Sequence, residues 1–578
     1  TITGASNENL IIDTGTKGTG SVTFSGNVGA ASGSVSEIST VSVTAATAIT
    51  LGGDIVTSGD DGDTSHPDIT LTGPVVLAKD GTINLVTDVG ATTDGDITIT
   101  GTLNGTNTQT NALTITSGGG AVSIGGLIGA GSNGALGNVA INATDTSDTG
   151  AISLAGIGSG TAASGAGIVG TVSIGGNATT LLTLGGTTYN TDGTTIYESV
   201  ANTNKILVTG TDPVFTTHDD AISFENGGIL LSAGEFEVQS GGNGITIDGR
   251  IVGTGAESVK LDAGTGDGTN ATVTLGSTTG IGSGDEISSI TLDGEDGVSL
   301  SGALKLDDNT GAVSITGPVT LAQHITINTA ANNGTVTFET SSTTINGAKN
   351  LTISSGSGDV TFQGAIGTAG TGIGNIDVNA TAGTGDIEIF EMGTSGGVMG
   401  ATGTVDIGNS TTTSITLDGT TYNTDGDTEF DATATGASIK LTGVSPVMTM
   451  AAGHTLKFTT ADVELSGTSG TGDVGTTTFT APGGATFAGD IIGKSGMSGT
   501  ESLTIETGGG ALDIGGSIGG SGKAIGTLLI NSSGNGTIAI AGIGTSSAVG
   551  VSGTTTIGNS STGSITLDGA EYNTTGSQ

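Results

Sequence analysis

Hydrophobic and polar residues alternate along most of the chain, in short runs that each end near a glycine. The recurring pattern is apolar, any, apolar, any, Gly, any, apolar, as in Val22-Thr-Phe-Ser-Gly-Asn-Val and Ile97-Thr-Ile-Thr-Gly-Thr-Leu. Alternation with period two and many β-branched residues predicts strands with one buried and one solvated face. The glycine has no Cβ, so we expect a bend or bulge there. Its positions in nine copies are Gly26, Gly53, Gly101, Gly126, Gly249, Gly302, Gly364, Gly489 and Gly516.

The spacing of these glycines indicates how the strands are arranged. Their positions differ by 53 − 26 = 27 in one pair and by 126 − 101 = 25 in another, and similar intervals recur along the chain. Three short strands and three turns need roughly 25 residues, so each interval predicts one coil of a right-handed parallel β-helix, a β-solenoid, with about two dozen coils in all. Tandem β-sandwich domains are the alternative, because they also give short strands between Gly, Asn and Asp turns. We prefer the solenoid because the element repeats at the length of a coil and not of a domain.

A tyrosine-centred motif occurs three times, as in Leu-Asp-Gly-Thr-Thr-Tyr-Asn-Thr-Asp-Gly, which ends at Gly426. Three of the four tyrosines, Tyr189, Tyr422 and Tyr572, occupy this one position. One interpretation is a contact patch between units or chains, with each ring as an anchor. The other, which we favour, is a single large side chain that fills a junction between coils.

The spacing between copies of this motif indicates a long repeat. The positions of Tyr189 and Tyr422 differ by 422 − 189 = 233, whereas those of Tyr422 and Tyr572 differ by only 572 − 422 = 150. In the second unit, the interval from Pro213 to Gly367 is 367 − 213 = 154 residues. The matching interval in the third unit, from Pro446 to Gly519, is 519 − 446 = 73, so the third unit is shorter by 154 − 73 = 81 residues there. Such a loss indicates a modular interior. The predicted solenoid units are 1–193, incomplete at its start, then 194–426, and a shortened 427–578.

Composition agrees with a folded, thin-cored chain. There are 111 glycines but only 6 prolines, and the aromatic content is 3% without tryptophan. Valine, isoleucine and leucine recur periodically throughout, which is not typical of a disordered linker. A narrow interior of aliphatic residues is expected when each coil surrounds little volume.

Charge and cysteine content restrict the chemistry. The 54 acidic and 11 basic residues give a net charge of −43, which argues against a nucleic-acid or anionic-membrane partner. The absence of cysteine removes thiolate and redox chemistry. No apolar run approaches the ~20 residues that span a membrane.

Three clusters of acidic residues are candidate calcium-binding sites. Asp425, Asp427 and Glu429 alternate, so on a strand all three carboxylates would share one side, and hard oxygen ligands suit Ca²⁺. The other interpretation, which we prefer, is a solvated acidic turn whose carboxylates cap their own backbone. The trio is not repeated in the other units, and no EF-hand spacing is present. The remaining clusters are Asp60, Asp61, Asp63 and Asp68, and Asp293, Glu295 and Asp296.

The strand-Gly-strand elements lead to a resemblance. Together with the run Leu-Thr-Ile-x-x-Gly-Gly-Gly-Ala-Val-Ser-Ile-Gly-Gly-Leu-Ile-Gly, which ends at Gly129 and has counterparts at Gly367 and Gly519, they resemble the β-strand repeats of giant bacterial exoproteins. That group includes filamentous-haemagglutinin-like adhesins and repeat-built surface-layer or fibre proteins. The likeness covers essentially the whole chain as a pattern. It implies an extracellular, cell-surface location and a structural or adhesive role, and it supplies no catalytic residues.

Repetition without a distinctive site favours a non-catalytic structural or adhesive protein that forms a stalk, fibre or layer by self-association. A recognition module for calcium or cell-surface glycans is the second hypothesis. A β-helical polysaccharide-degrading enzyme is the third, although the basic residues that lyases use are few, with Arg250 the one arginine. Hydrolases use paired carboxylates, and acidic residues are too common here to nominate a pair.

Overall fold

The fold is taken from a computed structural model of the chain. The residues it describes are 1–4, 8–29, 38–58, 66–87, 94–106, 110–130, 134–142, 149–160, 162–264, 271–276, 280–282, 287–306, 311–368, 370, 372–434, 436, 438–466, 475–496, 499–531 and 534–578. Asp60, Asp61 and Asp63 of the first acidic cluster lie outside them.

The chain is an all-β solenoid. Strands make up 47% of it, and they stack in parallel coils of about 26 residues, with about 19 turns in all. The described residues contain no α-helix and one 3₁₀ turn, Ala163–Gly165. Strands of successive coils pair in parallel, for example Ile69 with Ile97 and Val122 with Ile152. The prediction of a parallel β-solenoid is confirmed, and the β-sandwich alternative is wrong because a sandwich is built from antiparallel strands.

The number of turns is smaller than the two dozen predicted, although the coil length of about 26 residues is close to the predicted 25. The positions of the register partners Ile97 and Val122 differ by 122 − 97 = 25, but those of the next pair, Val122 and Ile152, differ by 152 − 122 = 30. The three paired strands, Ile97–Ile99, Val122–Ile124 and Ile152–Leu154, keep the same length.

Residue contacts divide the chain into two compact units, Thr1–Gly297 and Val298–Gln578. This division follows contacts in space and is independent of the sequence repeats, whose ends we predict near residues 193 and 426.

The strands up to residue 293 are β1 Glu8–Asp13, β2 Ser21–Phe24, β3 Ile38–Thr44, β4 Ala48–Leu51, β5 Ile55–Val56, β6 Ile69–Thr72, β7 Val75–Leu77, β8 Gly81–Val86, β9 Ile97–Ile99, β10 Leu103–Asn104, β11 Asn111–Thr116, β12 Val122–Ile124, β13 Val139–Ile141, β14 Ile152–Leu154, β15 Val172–Ile174, β16 Leu182–Leu184, β17 Thr188–Asn190, β18 Thr195–Glu198, β19 Ile206–Val208, β20 Val214–Thr216, β21 Ile222–Glu225, β22 Ile229–Leu231, β23 Glu235–Gln239, β24 Ile245–Ile247, β25 Ile251–Val252, β26 Glu257–Asp262, β27 Thr272–Leu275 and β28 Ile287–Asp293.

The later strands are β29 Gly297–Leu300, β30 Leu304–Lys305, β31 Val313–Thr316, β32 Val319–Leu321, β33 Ile325–Asn328, β34 Val336–Phe338, β35 Ile345–Asn346, β36 Leu351–Ser354, β37 Val360–Ile366, β38 Ile376–Val378, β39 Ile387–Met392, β40 Val405–Gly408, β41 Ile415–Leu417, β42 Thr421–Thr424, β43 Thr428–Asp431, β44 Ile439–Leu441, β45 Val447–Met450, β46 Thr455–Thr459, β47 Val463–Leu465, β48 Thr476–Thr480, β49 Gly484–Phe487, β50 Ile491–Gly493, β51 Ser502–Glu506, β52 Ala511–Ile518, β53 Leu528–Asn531, β54 Thr537–Ile543, β55 Thr555–Ile557 and β56 Ser564–Leu567.

The core consists of ladders of like side chains that run from coil to coil. Leu71 and Ile99 are register partners with no exposed surface, as the alternating pattern predicts. Aromatic residues stack in the same way, and the rings of Phe458 and Phe487 lie 5.1 Å apart at an angle of 14°. Because every coil contributes to the same ladders, burial of apolar surface is distributed along each unit.

Seven of the nine strand-associated glycines lie where a side chain would have no room. A Cβ on Gly516 would lie less than 3.0 Å from the backbone of Gly489 in the preceding coil, and one on Gly126 would meet the backbone of Gly101 in the same way. The same holds at Gly53, Gly101, Gly249, Gly364 and Gly489. None of these seven glycines has a positive φ. The bend that we expected from the sequence is therefore accompanied by a close approach of two coil backbones, and only glycine permits that approach.

Candidate functional site

The three motif tyrosines make the same contacts. The hydroxyl of Tyr422 accepts a hydrogen bond from Gly419 N at 2.8 Å and is 3.1 Å from Ile389 O in the preceding coil, to which it can donate. Tyr189 and Tyr572 bind Gly186 N and Gly569 N at 2.9 and 2.8 Å, and likewise reach a carbonyl of the coil before. In each of the three motifs, the tyrosine hydroxyl therefore links the turn of its own coil to the coil before.

Tyr189 and Tyr422 lie in the interior, with 0% and 1% of their surface exposed. Burial raises the pKa of both phenols, although the hydrogen bonds from Gly186 and Gly419 act in the opposite direction. Tyr572 is half-buried. In this arrangement the buried rings pack inside the coils, and Tyr572 alone of the three has appreciable surface that another molecule could contact.

The asparagine after each tyrosine holds a surface loop. Asn423 donates its side-chain amide to Thr394 O at 2.7 Å, and its own carbonyl accepts from Gly400 N at 2.7 Å. Both partners lie in the loop 393–400 of the coil before. Asn190 and Asn573 bind the equivalent loops, which begin at Gly158 and Gly544, through the same two groups. We call Asn190, Asn423 and Asn573, each with its loop, the asparagine clamps.

Replacing Asn423 by alanine is expected to loosen loop 393–400 without unfolding the coils. The substitution removes the amide that binds Thr394 O but keeps the backbone bond to Gly400, so the loss is about 0.5–1.5 kcal/mol and stays local. Hydrogen exchange should accelerate in peptides from this loop and not in the flanking strands. The control is Ser395→Ala at an exposed loop position, and exchange that is equally fast in both variants would contradict the clamp.

The acidic trio does not converge on one point. Asp427 accepts from Thr455 N at 2.8 Å and Thr455 Oγ1 at 3.0 Å, and its carboxylate is 3.6 Å from His454 Nδ1. Glu429 accepts from Thr459 Oγ1 at 2.8 Å. Asp425 is exposed in the turn before. In the described part of the chain, no group of three or more His, Cys, Asp or Glu is placed to hold a metal ion. A calcium ion at the trio stays a prediction.

The carboxylate of Asp427 caps the backbone of the next coil and not its own, and this is a general device. Asp68 accepts from Asp96 N at 2.8 Å, and Asp96 in turn accepts from Ala121 N at 2.7 Å. Asp296, of the third cluster, accepts from Ala271 N at 2.9 Å. Turn amides in one coil are thus satisfied by carboxylate or amide oxygens of a neighbouring coil. Such links escape sequence analysis, because spacing alone does not tell which turns face each other.

A row of three carboxylates runs across successive coils and shares Glu429 with the trio. Asp377, Asp406 and Glu429 are register partners on three successive strands, so their side chains follow one another at about 4.8 Å. Asp406, Asp427, Glu429 and Lys457 line a cavity of about 210 Å³. Desolvation, reinforced by the charges of Glu429, Asp377 and Asp431, raises the pKa of Asp406.

Asp406→Asn is expected to stabilise the protein at neutral pH. Since the folded-state pKa of Asp406 is raised, its protonated form is favoured in the fold, and that stabilisation is lost as pH rises through the folded pKa. Asparagine removes the repelling charge, so the thermal midpoint at neutral pH should be higher. The difference from wild type should vanish below the ordinary aspartate pKa of about 3.9. A variant that is less stable at neutral pH, or a difference independent of pH, would contradict the repulsion.

Comparisons with known proteins give no relative on which to base a function. The sequence matches no family model, and no curated protein or solved structure is found to be similar to it. The fold itself is of the kind found in repeat-built β-helical proteins. No helix in the described part of the chain is long and apolar enough to cross a membrane.

Proposed function

We propose that this chain is an extracellular structural repeat protein with an adhesive role, whose coils build a stalk, fibre or surface layer. One observation carries the proposal: the motif tyrosines and several turn carboxylates bond one coil to the next. The tyrosine hydroxyls bind backbone groups of their own turn and of the coil before, and turn carboxylates such as Asp68 and Asp427 bind backbone amides of a neighbouring coil. The resemblance to bacterial exoproteins supports the location.

Self-association is part of the proposal. Parallel strands leave N–H and C=O groups unpaired at the end of a stack, and such edges pair with further strands unless they are covered. The high negative charge limits sideways aggregation, because like-charged faces repel. Association by coil ends is therefore favoured over association by faces.

Electron microscopy of the purified chain tests the proposal. We expect filaments or ordered layers that grow with protein concentration and persist in moderate salt. Dispersed compact particles at every concentration would overturn the assembly role. A turnover assay on a polysaccharide panel is the companion experiment, and cleavage of any polymer would replace the structural function with an enzymatic one.

A further inference from the structure

A polar cavity of about 290 Å³ lies in the first unit, outside the asparagine clamps and the acidic row. It is lined by side chains or backbone of Asn202, Thr203, Asn226, Gly228, Asp248 and Arg250. These residues follow the ends of β18, β21 and β24, three strands that stack in register. Successive coils thus bring three turns together at one place, although the turns are far apart in sequence.

Two glutamates lie beside this cavity. Glu198 and Glu225 are register partners at the ends of their strands, and Asp248 follows the next strand in the stack, where its N–H donates to Phe224 O at 3.0 Å. The amide of Asn226 donates to Glu198 at 2.6 Å. Burial, with the charges of Glu225 and Asp248, raises the pKa of Glu198, while the bond from Asn226 opposes the shift. The cavity and its edge therefore carry three carboxylates, of which only Asp248 lines the cavity, and one guanidinium, that of Arg250.

The later repeat carries other residues at two of these positions. Counting coils from the tyrosine motif, Tyr197 and Phe224 correspond to Phe430 and Phe458, which are also register partners. The position of Asn226 is then Thr460, and both have a positive φ, 62° and 73°. Asp248 and Arg250, however, correspond to Ala488 and Asp490. The backbone shape is kept while the aspartate and the arginine are replaced, so this pair of side chains is particular to the earlier repeat.

The polar groups suit a sugar with a free amine. Arginine and asparagine donate hydrogen bonds, and aspartate, glutamate and asparagine oxygens accept them, which matches the mixed donors and acceptors of vicinal hydroxyls. Three carboxylates against one guanidinium leave a negative surplus, which repels uronic acids and sulfated sugars and attracts an ammonium group. We propose that this cavity binds a hexosamine residue with an unacetylated amino group, within a cell-surface polysaccharide. The proposal deepens the adhesive part of the proposed function and rests on it.

Isothermal titration with the trimer of glucosamine, at mildly acidic pH where its amines are protonated, tests this site on the full chain. We expect binding of the trimer and much weaker binding of its N-acetylated counterpart. Asp248→Asn and Arg250→Gln should each reduce the affinity by about tenfold or more, because each loses a charge-assisted hydrogen bond. The matched control is Asp490→Asn, at the position of Arg250 in the later repeat, which should bind the trimer with the affinity of the wild type.

Three results would overturn the site: no heat with the glucosamine trimer, equal affinity for the acetylated trimer, or full affinity in both Asp248→Asn and Arg250→Gln. Circular dichroism of each variant shows whether the coils are intact, and either variant alone suffices if the other does not fold. Filaments that fail to bind the trimer would remove this inference and leave the structural proposal. Binding of the trimer by a protein that forms no filaments would support this inference and remove the assembly role.

Discussion

Gly516→Ala is expected to destabilise the second unit by about 1–3 kcal/mol, the typical cost of overpacking, because the new methyl group meets backbone and not a movable side chain. Its Cβ would lie less than 3.0 Å from Gly489 of the preceding coil. The two coils must separate locally, which weakens the parallel pairing between β49 and β52 on either side. Urea unfolding and hydrogen exchange of peptides from β49 and β52 would measure the loss.

A nearby glycine provides the control for this substitution. At Gly520 an added methyl group would have no neighbouring atom within 4 Å, and the residue has no positive φ. Gly520→Ala should leave stability unchanged or raise it slightly, since alanine restricts the unfolded chain. If both substitutions cost the same, the close approach of coils is not what selects glycine at position 516.

Tyr422→Ala is expected to cost about 3–5 kcal/mol, as for other buried aromatic residues, because it leaves a cavity between two coils. Tyr422→Phe measures the contribution of the hydroxyl alone, because the aromatic ring is kept. It keeps the packing but leaves the buried Gly419 N–H without its acceptor, which costs about 1–3 kcal/mol. Because repeat proteins can unfold in segments, local hydrogen exchange around β39 and β42 is the appropriate readout beside a global melt.

Tyr572→Phe is the matched comparison, since Tyr572 makes the same bond to Gly569 N but is half-buried. Water can replace the lost hydroxyl there, so the cost should be well below that of Tyr422→Phe. Equal losses at the two positions would mean that burial of the amide is not the reason for the tyrosine.

The sequence predicts the solenoid because its two signals are local. Alternation along runs such as Ile97-Thr-Ile gives the strand and its buried face, and glycines such as Gly101 and Gly126 give the coil length. What the sequence does not provide is which turns face each other. The bond between Asp427 and Thr455, for example, joins turns of two different coils, and its existence depends on the coil register.

The candidate sites were less predictable than the fold for the same reason. The acidic trio was proposed from spacing along one strand, but Asp427 and Glu429 each bind a different threonine of the next coil. Arg250 was visible in the sequence only as a lone arginine, and its neighbours Asn202 and Asn226 lie in other coils. A comparison of equivalent positions between repeats could have singled it out, because Asp490 stands in its place.

Distances between spin labels test coil stacking, on which every contact between coils depends. The chain has no cysteine, so the pair Thr326→Cys and Lys457→Cys, both exposed, would carry the only labels. Five register steps, through Thr352, Asp377, Asp406 and Glu429, separate these positions. At about 4.8 Å per step, the backbones should lie about 24 Å apart.

Moving the second label to Asp513 adds two steps, through Thr486. Electron–electron double resonance should then show the main distance lengthening by about 10 Å, in proportion to the number of coils and not to the residues between the labels. A distance that does not grow by whole coil steps between the two pairs, or no defined distance in either, would contradict the stacked parallel solenoid.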